Sequence, residues 1–242
     1  MFQLGILFRL CKKMPMPEII LRPKTVSVEV RSRKPLTSEG LSSLCLFFNS
    51  FKSKRVLFYP KKFSQLGELI SIDGSLIDSV LSMDWADYRK NSKKARLNLG
   101  FNINQGIPQK LFLIEGKGDE RPFVHDILEP GQTGVMDCGY QHHQHFDKLQ
   151  QDLKHFVCRI KANTNKPCLE KYDTSPDSMV FYDAKVLLGK KGTSKQTKNP
   201  LRLVGYIVDG VKYWVAADRF DLSAEDIALI YKLRWEIEKF FA

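Results

Sequence analysis

Leu69, Ile70 and Ile72 form a short apolar run that closes on Asp73-Gly74-Ser75, the pattern of a buried strand whose end delivers a carboxylate. Ala95 to Ile103 alternates apolar and polar residues, and Lys110 to Ile114 is a further apolar run after Pro108. These segments predict three consecutive antiparallel strands. Arg121 to Leu128 suits a short helix, and Gly134-Val135-Met136-Asp137 is a brief strand that again ends in a carboxylate. His142 to Lys154 has helical spacing, and Phe156 to Ile160 reads as another strand. From about 162 to 219 the pattern changes to strands over Met179 to Leu188, Leu201 to Val208 and Val211 to Ala216. Asp209-Gly210 is a two-residue hairpin signal between the last two. Gly189 to Pro200 is a polar, basic loop with no apolar side chain. The final helix opens at Ser223, with Asp226 as its capping-box partner and Ile227, Ile230 and Ile237 on its apolar face. No Gly, Pro or polar break interrupts it before Ala242. Residues 1 to 65 carry basic clusters (Arg22 to Arg33, Lys52 to Lys62) without a sustained period, so they read as a basic arm or a degenerate domain.

Composition narrows the class. The chain has 242 residues, enough for one sizeable core or a core with an inserted subdomain. It is 43% hydrophobic, which excludes a disordered chain. With 38 Lys and Arg against 27 Asp and Glu, the formal net charge is +11, which suits a polyanionic partner. The five cysteines are scattered and never form a C-x-x-C pair, so neither a disulfide frame nor a zinc site is indicated. The first apolar stretch, Met1 to Leu10, is too short to cross a bilayer and lacks a cleavage motif. The expected setting is cytoplasmic, with no membrane partner.

Two strands that end in Asp and one helix that carries Glu form a metal-binding pattern. Phosphodiester chemistry needs hard oxygen ligands, and two cations about 4 Å apart can stabilise both the attacking and the leaving oxygen. On the last helix Tyr231, Arg234 and Glu238 are spaced i, i+3 and i+7, so they fall on one stripe. A hydroxyl, a guanidinium and a carboxylate in line can address a phosphate and a metal together. The competing reading is an ordinary Arg–Glu surface pair with Tyr as helix filler. Other residues rank lower. Trp214 can stack on a base or pack in a core. Lys93, Lys94 and Arg96 can track phosphate or form a solvated turn. His142, His143 and His145 read as solvated histidines rather than zinc ligands. Asp78, Asp84 and Asp87 compete weakly with Asp73, since they lie in a polar stretch past the expected strand end.

The segment Tyr231-x-x-Arg234-x-x-x-Glu238 resembles the Y-x-x-R-x-x-x-E signature of bacterial insertion-sequence transposases of the IS-four family. Ser71-Ile72-Asp73-Gly74-Ser75-Leu76-Ile77 resembles the family's first-Asp block, and Val135 to Tyr140 its second, although Cys138 stands where Arg is common. Met83 to Ala86, Glu115 to Lys117 and Arg219 to Ala224 add to the similarity, which covers roughly residues 66 to 242. The resemblance implies an α/β, RNase H-like fold: a mixed five-strand sheet flanked by helices, with a β-rich insertion before the last helix. The implied organisation is a basic segment at 1–65, the first part of the core at 66–161, the insertion at 162–220 and the catalytic helix at 221–242. It further implies that Asp73, Asp137 and Glu238 form the catalytic triad and bind two Mg²⁺ ions, with Mn²⁺ as a substitute. Tyr231 and Arg234 would then hold phosphates at the transposon end. The implied partners are double-stranded DNA, at transposon ends and target, and a second copy of the chain as a homodimer in the DNA complex.

The family signature continues to a Lys that would fall at position 245, beyond Ala242, so a C-terminally truncated catalytic helix is expected. Two alternatives stay open. One is an inactive remnant that only binds DNA, which the missing Lys favours. The other is an RNase H-like nuclease without strand transfer, against which the Tyr–Arg–Glu stripe counts.

Overall fold

A computed structural model describes residues 29–32, 65–78, 87–89 and 92–235. The described residues divide into two compact units. One comprises 29–32, 74–78, 87–89, 92–99 and 108–119, and the other 65–73, 100–107 and 120–235. Among the described residues, no helix is long and apolar enough to cross a membrane.

The first unit is built on strands. β1 (Glu29–Ser32) runs parallel to β5 (Ile107–Glu115), with Glu29 opposite Lys110. β4 (Ser92–Asn102) precedes β5 and is joined to it by the turn at 103–106. A link this short makes neighbouring strands antiparallel. β3 (Asp87–Arg89) folds back antiparallel on β4, pairing Arg89 with Ser92. Ala95, Leu97, Leu99, Leu111 and Leu113 are buried.

The second unit carries the elements that the sequence read most sharply. β2 (Leu69–Asp78), β6 (Thr133–Met136) and β7 (His155–Arg159) run parallel in that order. The end of β4 lies on the other side of β2, through the Ile103 amide that donates to the Leu69 carbonyl at 2.9 Å. Beyond β7 the sheet continues through β11 (Val211–Ala217), β10 (Leu201–Val208), β9 (Val180–Val186) and β8 (Cys168–Lys171), all antiparallel. The strands expected as an insertion therefore extend the same sheet from the edge of β7. Asp209 and Gly210 both have positive φ, 50° and 76°, the backbone of a tight primed turn.

Helices cover the parallel strands. α1 (Phe123–Ile127) precedes β6, α2 (His143–Gln151) links β6 to β7, and α3 (Ala224–Leu233) follows β11. All of β6 is buried, as are Phe156, Val157 and Cys158 of β7, the run expected of parallel strands covered on both faces. Phe146 of α2 stacks on Phe156 with ring centroids 4.4 Å apart. α3 buries Ile227, Ala228, Ile230 and Tyr231. Its N-cap is the expected one: Ser223 Oγ accepts from the Asp226 amide at 3.0 Å and donates to the Asp226 carboxylate at 2.8 Å.

Three boundaries differ from the sequence reading. β2 does not stop at Asp73 but continues to Asp78, and its side chains change from buried to half-buried after Ile72. β4 begins at Ser92 rather than Ala95, so Lys93 and Lys94 lie within the strand together with Arg96 instead of in a solvated turn. β8 is new: its residues are all exposed and give no apolar alternation to read.

The approach to α3 is fixed by charge. Arg202 of β10 donates from Nε and Nη2 to both carboxylate oxygens of Asp183 on β9, at 3.0 and 2.7 Å, and its Nη1 donates to the Leu222 carbonyl beside the cap. Both side chains are nearly buried, at 12% and 4% exposure. Arg202→Leu should therefore lower unfolding stability by about 3–5 kcal/mol, because it strands the Asp183 charge. Urea denaturation reads this directly, and a change below about 1 kcal/mol would show that Asp183 finds water instead.

Candidate active site

Strand register builds the site. In the β2–β6 pair Leu69 faces Thr133, Ile70 faces Gly134 and Ser71 faces Val135, a constant offset of 64 residues. Asp73 and Asp137 are separated by the same 64 residues, so extending the register sets them side by side. Asp137 follows the last residue of β6, and its backbone stays extended at φ −82° and ψ 179°. Adjacent strands lie about 4.8 Å apart. Carried two residues past the paired stretch, the register puts two half-exposed carboxylates in one row, Asp73 within β2 and Asp137 just past the end of β6. Like charges this close repel, and a bound cation is the usual means of neutralising them.

The β6–β7 pair runs from Thr133 opposite His155 to Met136 opposite Cys158, an offset of 22. The same extension sets Arg159 beside Asp137. The row therefore reads Asp73, Asp137, Arg159 across three strands. Sequence reasoning missed Arg159, because only the register assigns it a neighbour.

Local bonds hold Asp137 in place. Its Oδ1 accepts the Gly139 amide at 2.8 Å, capping a 3-10 turn over Cys138–Tyr140. Beneath it, the Cys158 thiol donates to the Asp137 carbonyl at 3.3 Å. Burial pushes that thiol well above its ordinary range, and the Asp137 charge adds to the effect. A Cβ placed on Gly139 would lie 3.0 Å from Asp137 Oδ1 and 3.9 Å from Glu120 Oε1. Glu120 is thus a further carboxylate in the vicinity of Asp137 that the sequence had not singled out.

The last helix reaches this row through Ser71, whose hydroxyl donates to the Arg234 carbonyl at 3.4 Å. Ser71 is fully buried, two residues before Asp73. Arg234 caps α3, and its guanidinium lies 5.9 Å from the Tyr231 ring. Tyr231 is 2% exposed and packs against Tyr213, with centroids 6.4 Å apart. Tyr213 stacks on Tyr206 at 5.4 Å and carries the Arg159 guanidinium 5.0 Å above its ring. Burial raises the phenol pKa of both Tyr231 and Tyr206, opposed by the charges of Arg159 and Arg234. Tyr231 and Arg234 are thus brought together, while Glu238 lies outside the described residues.

The remaining candidates fall elsewhere. Lys94 and Arg96 are half-buried in the other unit, and the Lys93 side chain is outside the described residues. Trp214 packs edge-on to Phe181 and Tyr182, each 5.2 Å away, with Lys166 Nζ 5.3 Å from its centroid. Asp78 ends β2, Asp87 begins β3, and Asp84 lies outside the described residues. The histidines separate: His142 lies against His145 at 4.3 Å, while His143 turns away to the Lys195 carbonyl at 2.6 Å. Among the described residues, no group of three His, Cys, Asp or Glu side chains is disposed to hold a metal ion.

The thiol beneath Asp137 offers a check on this geometry. In the folded chain Cys158 should resist iodoacetamide at pH 8 while exposed Cys168 reacts, since only the thiolate attacks. Peptide mapping after brief labelling reads both, and equal modification would refute the buried thiol support.

Comparison with known proteins points the same way. The chain is 26% identical over 162 residues to "Probable transposase for insertion sequence element IS5377" of Geobacillus stearothermophilus, covering 66% of this chain and 42% of that protein. It is 24% identical over 196 residues to "Putative transposase for insertion sequence element IS4SA" of Synechocystis sp., covering 78% of this chain and 54% of the relative. The chain thus spans about half the length of these curated relatives. A family model described as the Transposase DDE domain, which is RNase H-like, matches residues 65–242. A chain with this mixed sheet and a match over most of its length belongs to the Transposase DDE domain family.

Proposed function

We propose that this chain is the catalytic part of a DNA transposase that cuts and joins strands at insertion-sequence ends, with Asp73, Asp137 and Glu238 as its acidic triad. The observation that carries the reading is the shared 64-residue offset, which makes neighbours of two aspartates far apart in sequence. Glu238 follows Arg234 by four residues, about one helical turn, and the Arg234 carbonyl is bonded to Ser71 beside Asp73. Members of this family generally use divalent metal ions. The residues suit such ions: Asp73 and Asp137 are half-exposed oxygen donors side by side, the hard ligands that Mg²⁺ or Mn²⁺ prefer.

Two bound cations would supply Lewis acidity at the scissile phosphate and activate a water or a 3′-hydroxyl for in-line attack. The chain's own residues orient the substrate. Arg159 follows Asp137 in the row, so its guanidinium is suited to a non-bridging phosphate oxygen that gains charge in the transition state. Tyr213 and Tyr231 pack around Arg159 and Arg234 and limit their rotamers, which pre-organises both cations. Tyr231 is buried, so it acts chiefly by fixing Arg234 beside the phosphate. In this reading residues 66–161 and 221–242 form the core, and 162–220 its β-rich insertion. The enzyme is cytoplasmic and works on duplex DNA, as a homodimer when two ends are paired.

Asp137→Asn should abolish Mg²⁺-dependent cleavage of a transposon-end duplex yet leave salt-sensitive DNA binding within about twofold. Removing one carboxylate breaks the metal site, whereas most affinity comes from Lys and Arg contacts to phosphate. Cleavage by the variant at more than about a tenth of the wild-type rate would sink the assignment, since metal-ligand loss removes several kcal/mol of charge stabilisation.

A further inference from the structure

The loop from Gly189 to Pro200 is the most basic stretch in the second unit, and it is fixed in place. Asp147 of α2 accepts the Lys198 amide at 2.9 Å and the Asn199 amide at 3.1 Å. Thr197 is buried, and its Oγ1 accepts the Leu188 amide at 3.0 Å. Within the loop, Gln196 accepts the Gly192 amide and Thr193 donates to the Lys190 carbonyl. Gly189 sits at φ +104°, where an added Cβ would meet the Lys195 carbonyl oxygen at 2.5 Å and His143 Nδ1 at 3.1 Å. Only glycine fits there.

This loop walls a cleft of about 510 Å³ with Gln141, His143 and Thr164, and a second hollow of about 520 Å³ adjoins it through Asn165, Gly189 and Lys190. Lys166, Lys190, Lys191 and Lys195 line the two, and among the described residues no carboxylate does. The cleft is tied to the candidate active site. Gln141 follows Asp137 by four residues; its Oε1 accepts the Lys161 amide, and its Nε2 donates to Thr164 Oγ1 at 3.0 Å. His143 Nδ1 lies 2.6 Å from the Lys195 carbonyl, and its Nε2 lies 3.2 Å from Gln141 Nε2, so the ring bridges the two. A continuous set of bonds thus runs from the turn after Asp137 to the backbone of Lys195.

We propose that the Gly189–Pro200 loop and the cleft beneath it form a binding track for the phosphodiester backbone of duplex DNA beside the active site, with Lys190, Lys191 and Lys195 as its phosphate contacts. The three lysines are exposed, while the backbone that carries them is pinned. Cations on a rigid, carboxylate-free rim attract a phosphate chain and read its charge rather than its sequence. The inference rests on the DNA-cutting reading above, and its test separates the two.

The full chain is titrated by fluorescence anisotropy against a labelled duplex of arbitrary sequence over a range of salt concentrations. The triple variant Lys190→Gln, Lys191→Gln, Lys195→Gln should lower the log–log salt slope by about 2–3, near one unit for each lost contact. Low-salt affinity should fall at least about tenfold, and the three corresponding Lys→Arg changes should preserve both slope and affinity. A control triple at the exposed lysines Lys148, Lys171 and Lys212 removes the same charge elsewhere and should have a clearly smaller effect. Circular dichroism melting verifies that each variant folds. An unchanged slope in the loop triple, or an equal loss in the control, overturns the track while leaving the proposed function standing. Failure of the wild-type chain to bind duplex DNA overturns both.

Discussion

Parallel strand pairing at a fixed register is the constraint on which the site depends. β2, β6 and β7 bury nearly every residue along their paired stretches, including the polar Ser71 and Thr133. A slip of one residue would turn each side chain into packing shaped for its neighbour, so close packing on both faces holds the offsets at 64 and 22. Asp73, Asp137 and Arg159 inherit their alignment from those offsets. The row exists because Leu69 to Ile72 and Thr133 to Met136 exclude water, and because the burial ends where the charges begin. Apolar packing thus places two like charges together, which those charges would resist if left alone.

Much of this was legible in the chain. The apolar runs that end in Asp73 and Asp137 can be read directly, since parallel strands covered on both faces lose alternation and appear as short hydrophobic blocks. The Ser223 cap and the Asp209-Gly210 turn were equally plain, because each depends on side-chain chemistry within a few residues. Non-local facts were not. The continuation of β2 through Asp78 and the short β8 rest on pairing partners that no local pattern announces. Arg159 and Glu120 look like ordinary surface charges until register and packing bring them near Asp137. The helical stripe grouped Tyr231 with Arg234, whose guanidinium lies 5.9 Å from the Tyr231 ring, yet it gave no sign that Tyr231 would be buried. Helical periodicity assigns a face, and only the tertiary neighbours decide what covers it.

The charge distribution around the row follows a consistent plan. Arg159 and Arg234 are held against three tyrosines, two of which have raised phenol pKa values and therefore stay neutral. Neutral phenols offer aromatic faces to the guanidiniums without neutralising their charge. By contrast, Arg202 and Arg219 spend their charge on Asp183 and Asp221 in structural pairs. Arg219 is also anchored to the Leu66 carbonyl and Thr133 Oγ1, at the entry to β2 and the start of β6. One class of cation fixes where the strands begin, and the other packs on tyrosine rings.

The basic loop extends this logic from single phosphates to a chain of them. A flexible lysine segment would lose conformational entropy on binding, and that loss would offset much of the counterion-release gain. Here the ordering is already done by uncharged contacts and by Asp147, whose carboxylate is occupied by backbone amides. Because Gln141 and His143 connect the loop to the turn that follows Asp137, a DNA backbone held by the lysines as proposed would be referenced to the candidate row rather than to a separate surface. Displacing that link would leave the charges intact but remove their alignment with the carboxylates. In this architecture positional accuracy comes from the hydrogen-bonded frame, and attraction comes from the lysines it carries.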